Sequence, residues 1–240
     1  MYLIHTVYSS PYELRYRKKH GFVDFTFNDI LKSGKLRSSS KTKNIGMFAM
    51  FKGSKHIFLR IDQKKDIGNL YLDPSFLLNT SFYLQFGWDD GYPNTKKIDG
   101  RKLSKEQLDQ LLQQFAKEVK KNIISTFHYL KKKKEKKSQK ESSVNDEFVI
   151  DDNNVDEEYD KLEKVDIYDR MRISHSNEIL VENNIDLKKY LRKIVLTKSI
   201  EGYNKKDEII ETVKEMYPNV ELKDYTKKRG SDEYVFKDLL

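Results

Sequence analysis

The residues whose types could do chemistry gather late in the chain, in the stretch Met171-Arg-Ile-Ser-His-Ser-Asn-Glu-Ile-Leu-Val181. Glu178 enters an alternating strand pattern there, with Ile179 and Val181 on one face and Glu178 and Leu180 on the other. The polar residues Ser174, His175, Ser176 and Asn177 lead into it. One reading is an acidic residue fixed by a rigid strand at the rim of a cleft. On pattern alone an edge strand with Glu178 turned to water is the plainer expectation. Other chemistries are excluded or disfavoured by composition. Without cysteine there is no disulfide framework, thiol nucleophile or thiolate zinc site. The five histidines, His5, His20, His56, His128 and His175, lack metal-ligand spacing, which disfavours a metal enzyme. No Walker lysine loop, Gly-x-Gly-x-x-Gly, His-Glu-x-x-His or Gly-x-Ser-x-Gly occurs, and ten glycines leave little for a phosphate-cradling loop.

The elements that must position such residues are legible in part. Tyr2–Tyr8 reads as a strand carrying His5 and Thr6. A short helix is predicted over 27–33, with Asn28 as N-cap, Gly34 as its stop and Leu36 as an apolar latch. A polar loop at 38–44 precedes strands at Met47–Phe51 and His56–Asp62, joined by a turn at Lys52-Gly-Ser54. The aromatic text from Asn69 to Trp88 reads as a strand, a turn marked by Pro74 with a short helical turn, and a strand from Phe82; a surface turn follows at Asp89–Pro93. Ser104 and Gln107 form a capping box, and Leu108, Leu111, Leu112, Phe115, Val119 and Ile123 recur behind it at the spacing of a long amphipathic helix, which Phe127 and Leu130 continue. After Glu178 the pattern predicts a turn at Asn183-Asn184, a short helix near 187–191 and a strand at Lys193–Leu196. A helix bearing Ile209, Ile210, Val213 and Met216 then ends at Pro218, and a last strand lies at Val220–Leu222.

Hydrophobic residues make up 37% of the 240 and charged residues 35%, yet 13 Phe and 15 Tyr argue against a wholly disordered chain. The polarity is concentrated in residues 131–163, where Lys131-Lys-Lys-Lys-Glu-Lys-Lys137 precedes an acidic stretch. That segment reads as a solvated, mobile insert with a frayed helix end. The Lys run is also a candidate contact for an anionic partner such as nucleic acid, in keeping with a net charge of +8. The expected organisation is one α+β domain over 1–130 and 164–228, the insert at 131–163, and a loose tail at 229–240. No basic leader and no run of about 18 apolar residues occurs, so a soluble intracellular protein without a membrane span is expected, with nuclear or virion-associated placement open.

Taken in order, His5-Thr6, then Ile30-Leu-Lys-Ser-Gly-Lys-Leu36, then Asn177-Glu-Ile-Leu-Val181 with a continuation through Ile185 and Leu187, the chain resembles the ADP-ribosyltransferase superfold, nearest its His-Tyr-Glu and DarT-like branches. The resemblance covers residues 2–36, 56–88 and 172–196. It implies an α+β fold with a split, mostly antiparallel sheet, flanking helices and NAD⁺ as co-substrate in a cleft. It implies that Glu178 holds the nicotinamide-ribose 2′-hydroxyl, where a fixed carboxylate stabilises an oxocarbenium-like transition state. It implies that His5, with Thr6 beside it, orients an NAD⁺ ribose, and that Tyr71 or Tyr83 stacks on nicotinamide. Arg60 and Arg172 are candidates for the pyrophosphate. Thr6 departs from the Gly frequent after the histidine, and Ser176 from the Glu or Gln of arginine-modifying relatives. The acceptor, protein or nucleic acid, stays open. A non-catalytic basic binding protein, or a component of a larger, possibly viral, assembly, is the alternative.

Overall fold

In the computed structural model, which describes residues 1–8, 19, 26–37, 45–50, 66–85, 96–138, 153–161, 178–197, 206–227 and 234–240, the chain opens with strand β1 (Tyr2–Tyr8). Helix α1 (Phe27–Ser33) follows, then β2 (Lys35–Leu36), β3 (Ile45–Met50) and β4 (Asp66–Leu72). A 3₁₀ helix (Pro74–Asn79) leads into β5 (Ser81–Gln85) and β6 (Lys96–Asp99), and a second (Gly100–Lys102) leads to the long helix α2 (Lys105–Ser138). Helix α3 (Val155–Lys161), β7 (Glu178–Val181), β8 (Ile185–Asp186), the single turn α4 (Leu187–Tyr190) and β9 (Leu191–Thr197) come next. Helix α5 (Lys206–Met216) and strands β10 (Glu221–Lys227) and β11 (Tyr234–Asp238) complete the described chain.

The architecture mixes helices with a sheet that, among the described strands, is antiparallel except between β9 and β10. Nine strands follow in the order β11-β10-β9-β4-β1-β3-β7-β5-β6, and β2 and β8 form a separate two-stranded ribbon. β3 joins two half-sheets. Its residues Phe48, Ala49 and Met50 pair with Ile4, Leu3 and Tyr2 of β1, while Ile45, Gly46 and Met47 pair with Val181, Leu180 and Ile179 of β7.

One face of this sheet is the core. Strand side chains alternate between faces, so register assigns Leu3, Leu70, Leu72, Ile194, Phe82 and Ile179 to one side. All of them belong to one buried apolar cluster with Phe27 and Ile30 of α1, Ile209 and Val213 of α5, and Leu108, Leu112 and Phe115 of α2. Each fully buried side chain of this size contributes about 1.5–3 kcal/mol.

Local sequence explains the helix ends. Thr26, not Asn28, is the N-cap of α1. Thr26 Oγ1 accepts from Asp29 N–H at 3.0 Å and Asp29 Oδ2 accepts from Thr26 N–H at 2.9 Å, a reciprocal box that Asn28 could not make two residues later. Asn28 is buried instead, 2.8 Å from the Thr212 hydroxyl of α5. Gly34 ends the helix at φ 67°, in the left-handed region glycine adopts without steric cost. Ser104 and Gln107 make the expected box at the start of α2, with Gln107 Oε1 accepting from Ser104 N–H at 2.8 Å.

The structure departs from the sequence expectations at several elements. α2 continues as helix through Lys131–Lys137 to Ser138, where fraying was expected. Within the expected solvated insert, α3 buries Val155 and Tyr159 against the core, and Lys120 of α2 donates to Asp156 at 2.6 Å. The tail expected to be loose contains β11, paired in register with β10. β6 carries too few branched or aromatic residues (Lys96-Lys-Ile-Asp99) to stand out as a strand. The predicted strand at His56–Asp62, its turn at 52–54, the loop at 38–44 and the turn at Asp89–Pro93 lie outside the described residues.

Candidate functional site

Glu178 is the first residue of β7, an interior strand between β3 and β5, so the edge-strand expectation does not hold. Its strand alternates as the sequence foretold, Ile179 and Val181 buried and Glu178 and Leu180 half-buried. Glu178 pairs with Gln85 of β5, Leu180 with Tyr83, and Val181 with Phe82. Tyr83 is therefore a diagonal neighbour of Glu178 on the same face, at about 7–8 Å between backbones. Glu178 also stands where β7 leaves β3, at the junction of the two half-sheets.

His5 is placed differently. It pairs with Leu70 of β4 and lies between Ile4 and Thr6. Along β3, Met47 pairs with Ile179 and the next residue, Phe48, pairs with Ile4. Alternation then puts Ile179 on the side of Leu3 and His5, and Glu178 on the side of Ile4. Burial agrees, because Leu3 and Ile179 share the core cluster and Ile4 is not part of it. His5 and Glu178 belong to opposite faces, so the expected cleft shared by these two side chains is not formed. Thr6 pairs with Asn69.

The two candidate tyrosines are distinguished. Tyr71 is 1% exposed, packed edge-on against Tyr2 with ring centroids 6.0 Å apart, and Lys193 Nζ stands 5.3 Å from its ring centre. A ring so enclosed offers no open face for stacking. Tyr83 is half-buried. Its hydroxyl donates to Glu182 Oε1 at 2.6 Å, and Lys97 Nζ donates to the same oxygen at 2.8 Å while lying 5.4 Å from the Tyr83 ring centre. The bonds from Lys97 and then Tyr83 outweigh desolvation and hold the Glu182 carboxyl below the usual carboxylate range. The same bond with Glu182 raises the Lys97 ammonium. Arg101 adds positive charge beside Glu182 and is itself paired with Asp99 at 2.7 Å.

Glu182 and Lys97 were not among the residues expected at the site from the sequence. Glu178, Leu180 and Glu182 share the even spacing that keeps strand residues on one side, so a signal for Glu182 was present. Lys97 depends on β6, which had no strand signature. Arg60 and Arg172 lie outside the described residues. Among the described residues no group of three or more His, Asp or Glu side chains is arranged to hold a metal ion, and no helix is long and apolar enough to cross a membrane. Comparison of the chain with protein-family models, with curated proteins and with solved structures finds no match.

Proposed function

We propose that the chain is an NAD⁺-dependent ADP-ribosyltransferase-like protein, with Glu178 as the carboxylate that stabilises the ribose cation as nicotinamide leaves. The observation that carries the reading is the setting of Glu178: half-buried, first in an interior strand, at the junction of two half-sheets, with Tyr83 one diagonal step away. A strand in the middle of a sheet fixes a carboxylate better than a loop, and a fixed charge needs no reorganisation when the transition state forms. The order of motifs in the sequence supplies the rest of the support. Tyr83 is the aromatic residue of this reading. His5, on the other face, enters it as a residue of the core side.

Nicotinamide release from NAD⁺ by the purified full chain tests the proposal, with nucleic-acid and protein acceptors supplied in separate reactions. Glu178→Ala is expected to lower release by about 10²–10³-fold, the cost of removing one preorganised electrostatic contact. Release that persists in the variant sinks the assignment. His5→Ala is expected to lower thermal stability and leave turnover by the folded fraction unchanged. Selective loss of turnover in a folded His5→Ala protein would contradict the face assignment.

A second reading, a binding protein without catalysis, is favoured by the separation of His5 and Glu178 onto opposite faces. The helical Lys131–Lys137 segment and the net charge of +8 suit an anionic partner in that case. The chain would then bind nucleic acid and fail to release nicotinamide.

A further inference from the structure

The geometry assigns Glu182 as a positioning residue that pins Tyr83 as an aromatic platform beside Glu178, an assignment that rests on the NAD⁺ reading. On β5, Tyr83 faces Leu180 and lies diagonally between Glu178 and Glu182, because register places Gln85 opposite Glu178 and Phe82 opposite Val181. Either carboxylate is within diagonal reach of a tyrosine. The hydroxyl goes to Glu182, at 2.6 Å, and Lys97, the direct partner of Tyr83 on β6, reaches the same Oε1 at 2.8 Å. The ring is thus tied at its far end while its strand holds the near end. A side chain immobilised beforehand loses little further freedom when a ligand stacks on it.

Glu182 has a second effect at the same place. Lys97 holds its ammonium 5.4 Å from the Tyr83 ring centre, and the nicotinamide ring of NAD⁺ is a cation. A cationic ring is drawn to an aromatic face and repelled by an uncompensated ammonium nearby. The carboxylate of Glu182 neutralises Lys97, so the platform accepts a positively charged ring. Glu182 keeps a third of its side chain exposed (33%) and Lys97 more than half (54%), so the cluster is open to solvent on its outer side. Glu182 touches no reacting atom in this arrangement. It acts through Tyr83.

The test is steady-state nicotinamide release against NAD⁺ concentration for the full chain, with Tyr83→Phe, Glu182→Gln, their double variant, Lys97→Met and Glu178→Gln. Tyr83→Phe and Glu182→Gln are expected to raise KM about five- to tenfold with kcat nearly unchanged, the size of one ordinary net hydrogen bond at a solvent-open site. The double variant should be no worse than Glu182→Gln alone, because both weaken the same charge-assisted bond, glutamine leaving only a neutral acceptor. Lys97→Met keeps the Tyr83–Glu182 bond and removes the ammonium beside the ring, so KM should fall; a raised KM would overturn the neutralising role of Glu182. Glu178→Gln should lower kcat and spare KM. Wild-type KM in the Tyr83 and Glu182 variants, or effects that multiply in the double variant, overturns the positioning role while the loss in Glu178→Gln upholds the NAD⁺ reading. A wild-type chain that neither binds nor turns over NAD⁺, or whose turnover survives Glu178→Gln, overturns both.

Discussion

Tyr217 donates its hydroxyl hydrogen to the Leu31 carbonyl at 2.6 Å, tying the end of α5 to α1, and burial with the Asp186 charge pushes its pKa up from 10.0 to about 12. A raised folded-state pKa means that the native chain keeps the proton after the unfolded chain has lost it. The contribution to stability is therefore fully present below about pH 10 and is lost as pH rises toward about 12. Denaturant unfolding from pH 9 to 12 is expected to show a smaller pH-dependent loss in Tyr217→Phe than in the wild type; equal slopes would show that Tyr217 titrates alike in both states. Glu182 works in the opposite sense. Its carboxyl is depressed by Lys97 and Tyr83, so its contribution is present above the unfolded carboxylate pKa and disappears as pH falls through the lower folded value. Glu182→Gln should flatten the acid limb of the stability curve. An unchanged acid limb would place the Lys97 and Tyr83 bonds among exposed pairs with no net worth.

At the scale of elements, α1 is defined by its two ends and by what it touches. Thr26→Ala removes the hydroxyl that accepts Asp29 N–H and should cost about 1 kcal/mol, read as a shift in the denaturant midpoint at constant slope. Asn28→Ala removes one of two acceptors 2.8 Å from the buried Thr212 hydroxyl where α1 meets α5, the Glu208 carbonyl being the other, and should cost about 1 kcal/mol. The close approach of the end of β6 to the first 3₁₀ helix depends on Gly100. A Cβ there would lie 1.8 Å from the Leu77 carbonyl oxygen, a backbone atom that cannot swing aside. Gly100→Ala should destabilise by about 1–3 kcal/mol. A neutral effect would mean that the Leu77–Thr80 segment shifts freely, and with it the strand that carries Tyr83.

Over the whole molecule, two half-sheets meet along β3 and share one apolar layer with α1, α2 and α5, which leaves Glu178, Tyr83 and Glu182 on the side away from that layer. The charge is distributed unevenly, since Lys131–Lys137 puts six lysines into the final turns of α2. Cations at a helix C-terminus oppose the negative end of the helix dipole, a reason for the helix to persist there. Replacing these lysines with glutamine should weaken nucleic-acid binding and reduce its salt dependence by about one unit of slope for each phosphate the run neutralises. Binding with an unchanged salt slope would move the anionic partner to another surface and leave the run with a helix-capping role.

The sequence by itself determined the elements with strong local patterns. β1, α2 and its Ser104–Gln107 box, α5, and the alternation of Glu178 through Val181 follow from periodicity and capping chemistry, which act within a few residues. The helical continuation at Lys131–Lys137, the burial of Val155 and Tyr159, and the β11 strand were not legible, because each depends on a partner distant in sequence or on the helix already formed. The site divides in the same way. Glu178 stood out as a carboxylate in an apolar strand, whereas the burial of Tyr71, the half-exposure of Tyr83, the Glu182–Lys97 pair and the opposite facing of His5 were decided by tertiary structure. Strand order and register determine which residues share a face, and they arise from pairing between segments as distant in the chain as Ile45 and Val181, which no local pattern can specify.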